Sequence, residues 1–204
     1  MNRAQEANHR IGIMGGTFDP IHYGHLVCAE EARYQFGLDE VIFIPAGRPW
    51  QKQEVSPAQD RFKLTELATA SNEYFSVSRI EIERDGPTYT LDTLLRLHEL
   101  YGERAELYFI TGADAVTEIL TWKDPEAALE QAHFIAASRP EYDLSKLRNE
   151  QFGNKLSFMQ IPALALSSTD IRHRVSQGQP IRYLVPPEVE EFIKQRGLYR
   201  SKRD

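Results

Sequence analysis

Six short apolar runs, rich in β-branched and aromatic residues, punctuate this chain: Ile11–Met14, Val41–Pro45, Phe75–Ile82, Leu107–Thr111, His133–Ala137 and Leu156–Gln160. Helix-like patterns lie between them. That order of strand and helix implies an α/β fold, a single doubly wound, mostly parallel sheet covered by helices on both faces, with a small helical part towards the C-terminus. Helix boundaries can be read locally. Ser56-Pro57-Ala58-Gln59 offers a capping Ser, a Pro at the first helical position and a Gln three residues after the cap. Asp124-Pro125 repeats the cap-then-Pro logic. Gly37 fits a left-handed helix stop, and Leu91, Leu94, Leu95 and His98 recur at helical spacing after Thr90.

Composition narrows the class of protein. The 204 residues suffice for one large domain, read as 10–204, behind a polar, loose N-terminal tail at 1–9. A net charge of −6 argues against a grip on long nucleic acid. Cys28 is the single cysteine, so no intramolecular disulfide can form. It lies in an apolar helix-like run and reads as a packed thiol rather than a nucleophile. No apolar run approaches the ~20 residues needed to cross a membrane, and the polar start is not a secretory signal. A cytoplasmic protein without membrane contact is expected.

Open parallel sheets bind ligands at the carboxyl ends of their strands. The first strand is followed by Gly15-Gly16-Thr17-Phe18-Asp19-Pro20-Ile21-His22-Tyr23-Gly24-His25, which leads into the helical stretch from Leu26. A glycine-rich turn at a helix start presents unpaired N–H groups and a positive dipole end to phosphate. His22 and His25 can then donate to charge developing on phosphoryl oxygens. Zinc is a poorer reading, because no cysteine is near and Asp19 is the only local carboxylate. A second helix start, Ser167-Ser168-Thr169-Asp170-Ile171-Arg172, reads as a capping box in which Asp170 returns the bond. Its hydroxyls, its N–H groups and Arg172 also suit phosphate. Further loops follow the other strands: Ala46–Val55, Gly86–Thr93, Gly112–Asp114 and Ser138–Pro140.

The His-x-Gly-His and Ser-Ser-Thr-x-Ile-Arg patterns together resemble the nucleotidyltransferase superfamily, whose fold is Rossmann-like. Within it the chain looks like the bacterial nicotinate mononucleotide adenylyltransferases. Supporting segments are Pro49–Lys52, Gly86–Thr93, Thr111–Asp114, and Trp122 followed by Asp124. The resemblance covers roughly residues 10–199. It implies that ATP and nicotinate mononucleotide are converted, with Mg²⁺ brought in mainly by the ATP phosphates, to nicotinate adenine dinucleotide and pyrophosphate. It further implies residue roles. Gly15, Gly16, Thr17 and Phe18 offer donors to phosphate, and His22 and His25 stabilise the transferring group. Ser168, Thr169 and Arg172 hold the β,γ-phosphates, while Gly112 and Asp114 meet the adenosine. Trp122 stacks on the pyridine ring, Thr88, Tyr89 and Thr90 hold its carboxylate, and Lys52 reaches a phosphate. Trp50-Gln51-Lys52 departs from a common family form that has a histidine before the basic residue. Arg139 reads equally as a phosphate partner or a surface residue, and His98, His133 and His173 as structural. Homo-oligomerisation stays open. The rival readings are pantetheine-phosphate adenylyltransferase and a non-catalytic nucleotide sensor.

Overall fold

The computed structural model describes residues 8–49, 54–102, 104–119, 122–138 and 154–201. In chain order the elements are β1 (His9–Gly16), α1 (Tyr23–Phe36), β2 (Glu40–Pro45), α2 (Ala58–Thr69), β3 (Phe75–Val77), α3 (Thr90–Tyr101) and β4 (Ala105–Gly112). They continue with α4 (Ala113–Ile119), α5 (Pro125–Gln131), β5 (His133–Ser138), β6 (Leu156–Gln160), α6 (Ser168–Ser176) and α7 (Pro187–Arg196). The strands form one sheet in the order β3-β2-β1-β4-β5-β6, and every pairing is parallel. The expected fold class is therefore what the chain adopts. The strand order reverses beside β1, so the crevice of an open α/β sheet falls between β1 and β4.

Alternation along the strands builds two cores. Ile11 and Ile13 of β1, Ile42 and Ile44 of β2, and Leu107 and Phe109 of β4 face one side, where Leu94, Leu97, Val116 and Leu129 cover them. Met14, Val41, Phe43, Tyr108 and Ile110 face the other, under Cys28, Ala29, Leu64, Ile171, Val189 and Ile193. Helices α6 and α7 thus share a core with the sheet. Arg196 of α7 also ion-pairs with Asp60 of α2 at 2.9 Å.

Three local readings are corrected. β3 stops at Val77 instead of running to Ile82. Val41 N–H donates to Tyr74 C=O and Ser78 N–H donates to Phe43 C=O; the next rung needs an N–H at Pro45, which has none. Ser56 does not cap α2 through its side chain: Pro57 holds the cap position, and the Ser56 N–H donates to Asp19 Oδ2 at 3.0 Å. Asp170 does not close a capping box; its carboxylate accepts from Arg174 Nε at 2.7 Å. Asp124 stands at the cap position before Pro125, as read, but its side chain makes no cap bond; the remaining punctuation holds. Gly37 is left-handed at φ 59°, with the Leu38 N–H closing on Arg33 C=O. Ser167 Oγ accepts the Asp170 N–H. His98 Nε2 lies 2.8 Å from the Gln131 carbonyl, tying α3 to α5.

On α3, Leu94 is 0% exposed whereas Leu95, grouped with it by spacing, is 44% exposed. Leu94→Ala is expected to cost about 2–5 kcal/mol in urea unfolding, and Leu95→Ala less than about 0.5 kcal/mol. Equal costs would mean that the helix is rotated.

Candidate active site

The end of β1 is shaped by a tight backbone approach. The Gly16 carbonyl accepts the Ala46 N–H at 2.8 Å, which joins the exits of β1 and β2. A Cβ on Gly16 would stand 2.8 Å from the Phe18 ring, so only glycine fits there. Phe18 itself adopts φ 51°, a left-handed conformation unusual for an aromatic residue. Its buried ring meets His25 edge to face, with centroids 5.2 Å apart, and leans on Phe43.

The two histidines are ordered by the start of α1. His22 occupies the cap position, and its main-chain N–H donates to His25 Nδ1 at 3.2 Å. A neutral imidazole that accepts at Nδ1 carries its proton on Nε2, so His25 is a donor at Nε2. The rings stack, with centroids 3.8 Å apart and planes inclined by 24°. His22 is only 6% exposed, and its Nδ1 is buried without a hydrogen-bond partner among the described residues. Burial pushes the His22 imidazole down to about 4, so this ring is neutral at pH 7.

Two clefts open from this turn, both at the carboxyl end of the sheet. The first, ≈ 310 Å³, is bordered by Gly15, His22, Gly24 and His25, by Gly112 and Ala113 at the end of β4, and by Ser138 and Leu166. Cys28 lies in its wall, with burial pushing the thiol up to about 12, so it is inert as a nucleophile. The second, ≈ 190 Å³, is bordered by Gly15, Gly16, Thr17, Glu81, Thr88, Thr90, Phe109 and Trp122. Gly15 belongs to both.

Most of the residues singled out from the sequence converge here. Gly15, Gly16 and Thr17 line the clefts, and Gly112 lines the first. Thr88, Thr90 and Trp122 line the second, where Trp122 is propped edge to face on Phe109 at 5.8 Å. Phe18 sits behind His25 instead of in the wall. Tyr89 precedes α3, and its ring lies beneath Lys123 Nζ, 4.9 Å from the centroid. Ser168, Thr169 and Arg172 border neither cleft. Ser168 Oγ donates to the Pro20 carbonyl at 2.8 Å, Arg172 Nη1 to the Asp19 carbonyl at 2.7 Å, and Arg172 Nη2 to Thr169 Oγ1 at 3.3 Å. The start of α6 therefore docks on the histidine turn. Lys52, Arg139 and the side chain of Asp114 lie outside the described residues.

Two residues went unnoticed in the sequence. Arg61 is 0% exposed and donates to the carbonyls of Thr17, Gly47 and Ser56 at 2.8, 3.2 and 2.9 Å. Burial pushes its guanidinium down, opposed by the nearby Asp19 carboxylate. A signal did exist: Arg61, Thr65 and Thr69 form a buried polar stripe at a spacing of four, with each Thr hydroxyl donating to the carbonyl four residues earlier. Glu81, in the second cleft, accepts from Thr93 Oγ1 at 2.8 Å, and desolvation pushes its carboxyl upward.

The neutral, buried His22 has a thermodynamic consequence. The unfolded chain takes up a proton near pH 6.5, while the native ring resists until about 4. Stability is thus lost as pH falls through that window. Between pH 7 and pH 5 the wild type is expected to lose ~2 kcal/mol more than His22→Asn in urea unfolding. Parallel pH profiles would mean that the ring is not buried in its neutral form.

Comparison with known proteins agrees with this geometry. Residues 13–174 match the cytidylyltransferase-like family model. A Moorella thermoacetica protein named "Probable nicotinate-nucleotide adenylyltransferase" is 54% identical over 203 residues, spanning 96% of this chain and 94% of its own. A protein of the same name from Leifsonia xyli subsp. xyli is 54% identical over 201 residues, spanning 98% of this chain and 99% of its own. Among solved structures, the Plasmodium falciparum nicotinic acid mononucleotide adenylyltransferase complexed with NaAD superposes with a TM-score of 0.79 at 22% identity. That match covers 93% of this chain and 97% of that one, and it is a likeness of fold. With both halves of the glycine–histidine turn in place and near-full-length identity above half, the chain belongs to the nicotinate-nucleotide adenylyltransferase family.

Proposed function

We propose that this chain transfers the adenylyl group of ATP to nicotinate mononucleotide, releasing pyrophosphate and forming nicotinate adenine dinucleotide. The observation that carries the reading is the pair of clefts that meet at Gly15 beside two stacked histidines. Two substrates held on either side of one glycine can bring a phosphate oxygen in line with the α-phosphorus. Such a transfer needs positioning and charge stabilisation more than covalent catalysis. The name shared by the 54% identical relatives supports the same acceptor.

In this reading the first cleft takes the nucleotide, with Gly112 and Asp114 towards the adenosine. Backbone N–H groups of Gly15–Phe18 face phosphate, and the His25 Nε2–H and the His22 ring donate to oxygens that gain charge in the transition state. Ser168 and Arg172 reach the β,γ-phosphates by exchanging part of their hold on Pro20 and Asp19, and Thr169 by exchanging its bond with Arg172. The second cleft takes the mononucleotide. Trp122 offers a ring face to the pyridine, Thr88, Tyr89 and Thr90 offer donors to its carboxylate, and Lys52 serves its phosphate. Mg²⁺, when bound, would come with the ATP phosphates and would offset their charge; no group of three or more His, Cys, Asp or Glu able to hold a metal occurs among the described residues. ATP and nicotinate mononucleotide are the partners, with no role for nucleic acid given the net charge of −6. No helix among the described residues is long and apolar enough to cross a membrane, and we place the reaction in the cytoplasm.

The test is pyrophosphate release with ATP, Mg²⁺ and one acceptor at a time. Release with nicotinate mononucleotide, and much less with its amide, supports the reading. Release only with phosphopantetheine, or nucleotide binding without turnover, overturns it. His25→Ala is expected to lower kcat by about 10²–10³ with the circular dichroism spectrum unchanged. Trp122→Ala should raise KM for the mononucleotide while sparing that for ATP; equal losses for both would argue against ring stacking.

A further inference from the structure

Four non-glycine residues among those described have positive φ, and two of them converge on one side chain. Phe18, at φ 51°, directly precedes Asp19. Tyr199, at φ 62°, reaches Asp19 from the far end of the fold, its hydroxyl donating to Asp19 Oδ1 at 2.6 Å. Left-handed backbone at an aromatic residue persists only where the surroundings over-determine it. Here the Gly197 stop after α7 and the packing of Leu198 and Tyr199 on the core set the backbone, and the hydroxyl bond fixes the ring.

Asp19 is 3% exposed and held on every side. Oδ2 accepts the Ser56 N–H, and its main-chain carbonyl accepts from Arg172. The preceding Thr17 carbonyl accepts from Arg61 and the following Pro20 carbonyl from Ser168. Burial, and after it the Asp19 charge, push the Tyr199 phenol upward, so it stays a donor. The neighbours of Asp19 along the chain set the histidines. The Phe18 ring backs His25 edge to face, and Ile21 leads to His22, whose N–H is bonded to His25. Tyr199 borders neither cleft.

We propose that Tyr199 is a positioning residue for the transfer reaction: through Asp19 it holds the Phe18–His22 stretch in the form that orients the His22 and His25 rings. The proposal rests on the adenylyl-transfer reading. A group that acts through geometry at a distance lowers kcat, because small misplacement is felt in the transition state, and it leaves ground-state binding alone.

Tyr199→Phe in the full chain keeps the ring and removes only the hydroxyl. Expected are a fall in kcat of about tenfold or more, unchanged KM for ATP and for nicotinate mononucleotide, and shifted ¹⁵N ring signals of His22 and His25. Asp19→Asn should behave alike, and the double variant should be no slower than the slower single one. Should Tyr199→Phe fail to fold, Asp19→Asn carries the same measurements. Wild-type kcat and wild-type ring signals alongside a lowered melting temperature would overturn the proposal, leaving Tyr199 as a brace for stability. Losses that multiply in the double variant would overturn it too. The ring signals respond to the clamp whatever reaction the site performs, so its failure is distinguishable from failure of the reading it rests on.

Discussion

Removing a guanidinium from water costs several kcal/mol unless its donors are matched, and in this fold one is removed completely. Arg61 meets the demand by reaching three carbonyls that belong to three different stretches: the turn after β1, the loop after β2, and the approach to α2. The planar fork of arginine can serve all three at once, whereas a lysine ammonium on a flexible stem has no such fixed geometry. The arrangement compresses the loop after β2 so closely that a Cβ on Gly47 would lie 2.1 Å from the Glu81 carbonyl oxygen. The wall of the second cleft, with Thr17 on one side and Glu81 on the other, is therefore set from beneath by a residue that never faces it.

Local features of the sequence were legible and long-range ones were not. The alternation of apolar runs with helical patterns follows from burial on two faces, and it survives intact in the six parallel strands. The glycine–histidine turn was readable because its contacts lie within a few residues: Gly16 against Phe18, Phe18 against His25, His22 against His25. β3 was overextended because its end depends on Pro45 in another strand. Ser56 has a capping sequence but is drawn away by Asp19, 37 residues earlier. The hydroxyls and guanidinium of the second helix start read locally as phosphate-type groups; that Ser168 grips Pro20 and Arg172 grips Asp19 depends on docking across about 150 residues, which no local pattern encodes.

On the proposed reading, the clefts would let an acidic protein receive anions. Among its described residues the second cleft is bordered by no Lys, Arg or His, and Glu81 is one of its lining residues. Neutral hydroxyls, an aromatic face and main-chain groups remain. Such groups act by direction rather than by bulk charge, which on the proposed reading would tell a planar carboxylate from an isosteric amide by the donors left unmatched.

The bond from the His22 N–H to His25 Nδ1 ties a choice of tautomer to the geometry of the main chain. Adding a proton at Nδ1 would set two donors against each other at the first turn of α1, so the site's acid–base state and the helix's first turn are one variable. Solvent does not select which nitrogen of His25 presents hydrogen; the peptide backbone does. A glutamine in its place could imitate the shape, but either end of its amide could turn inward, and the wiring would lose its polarity.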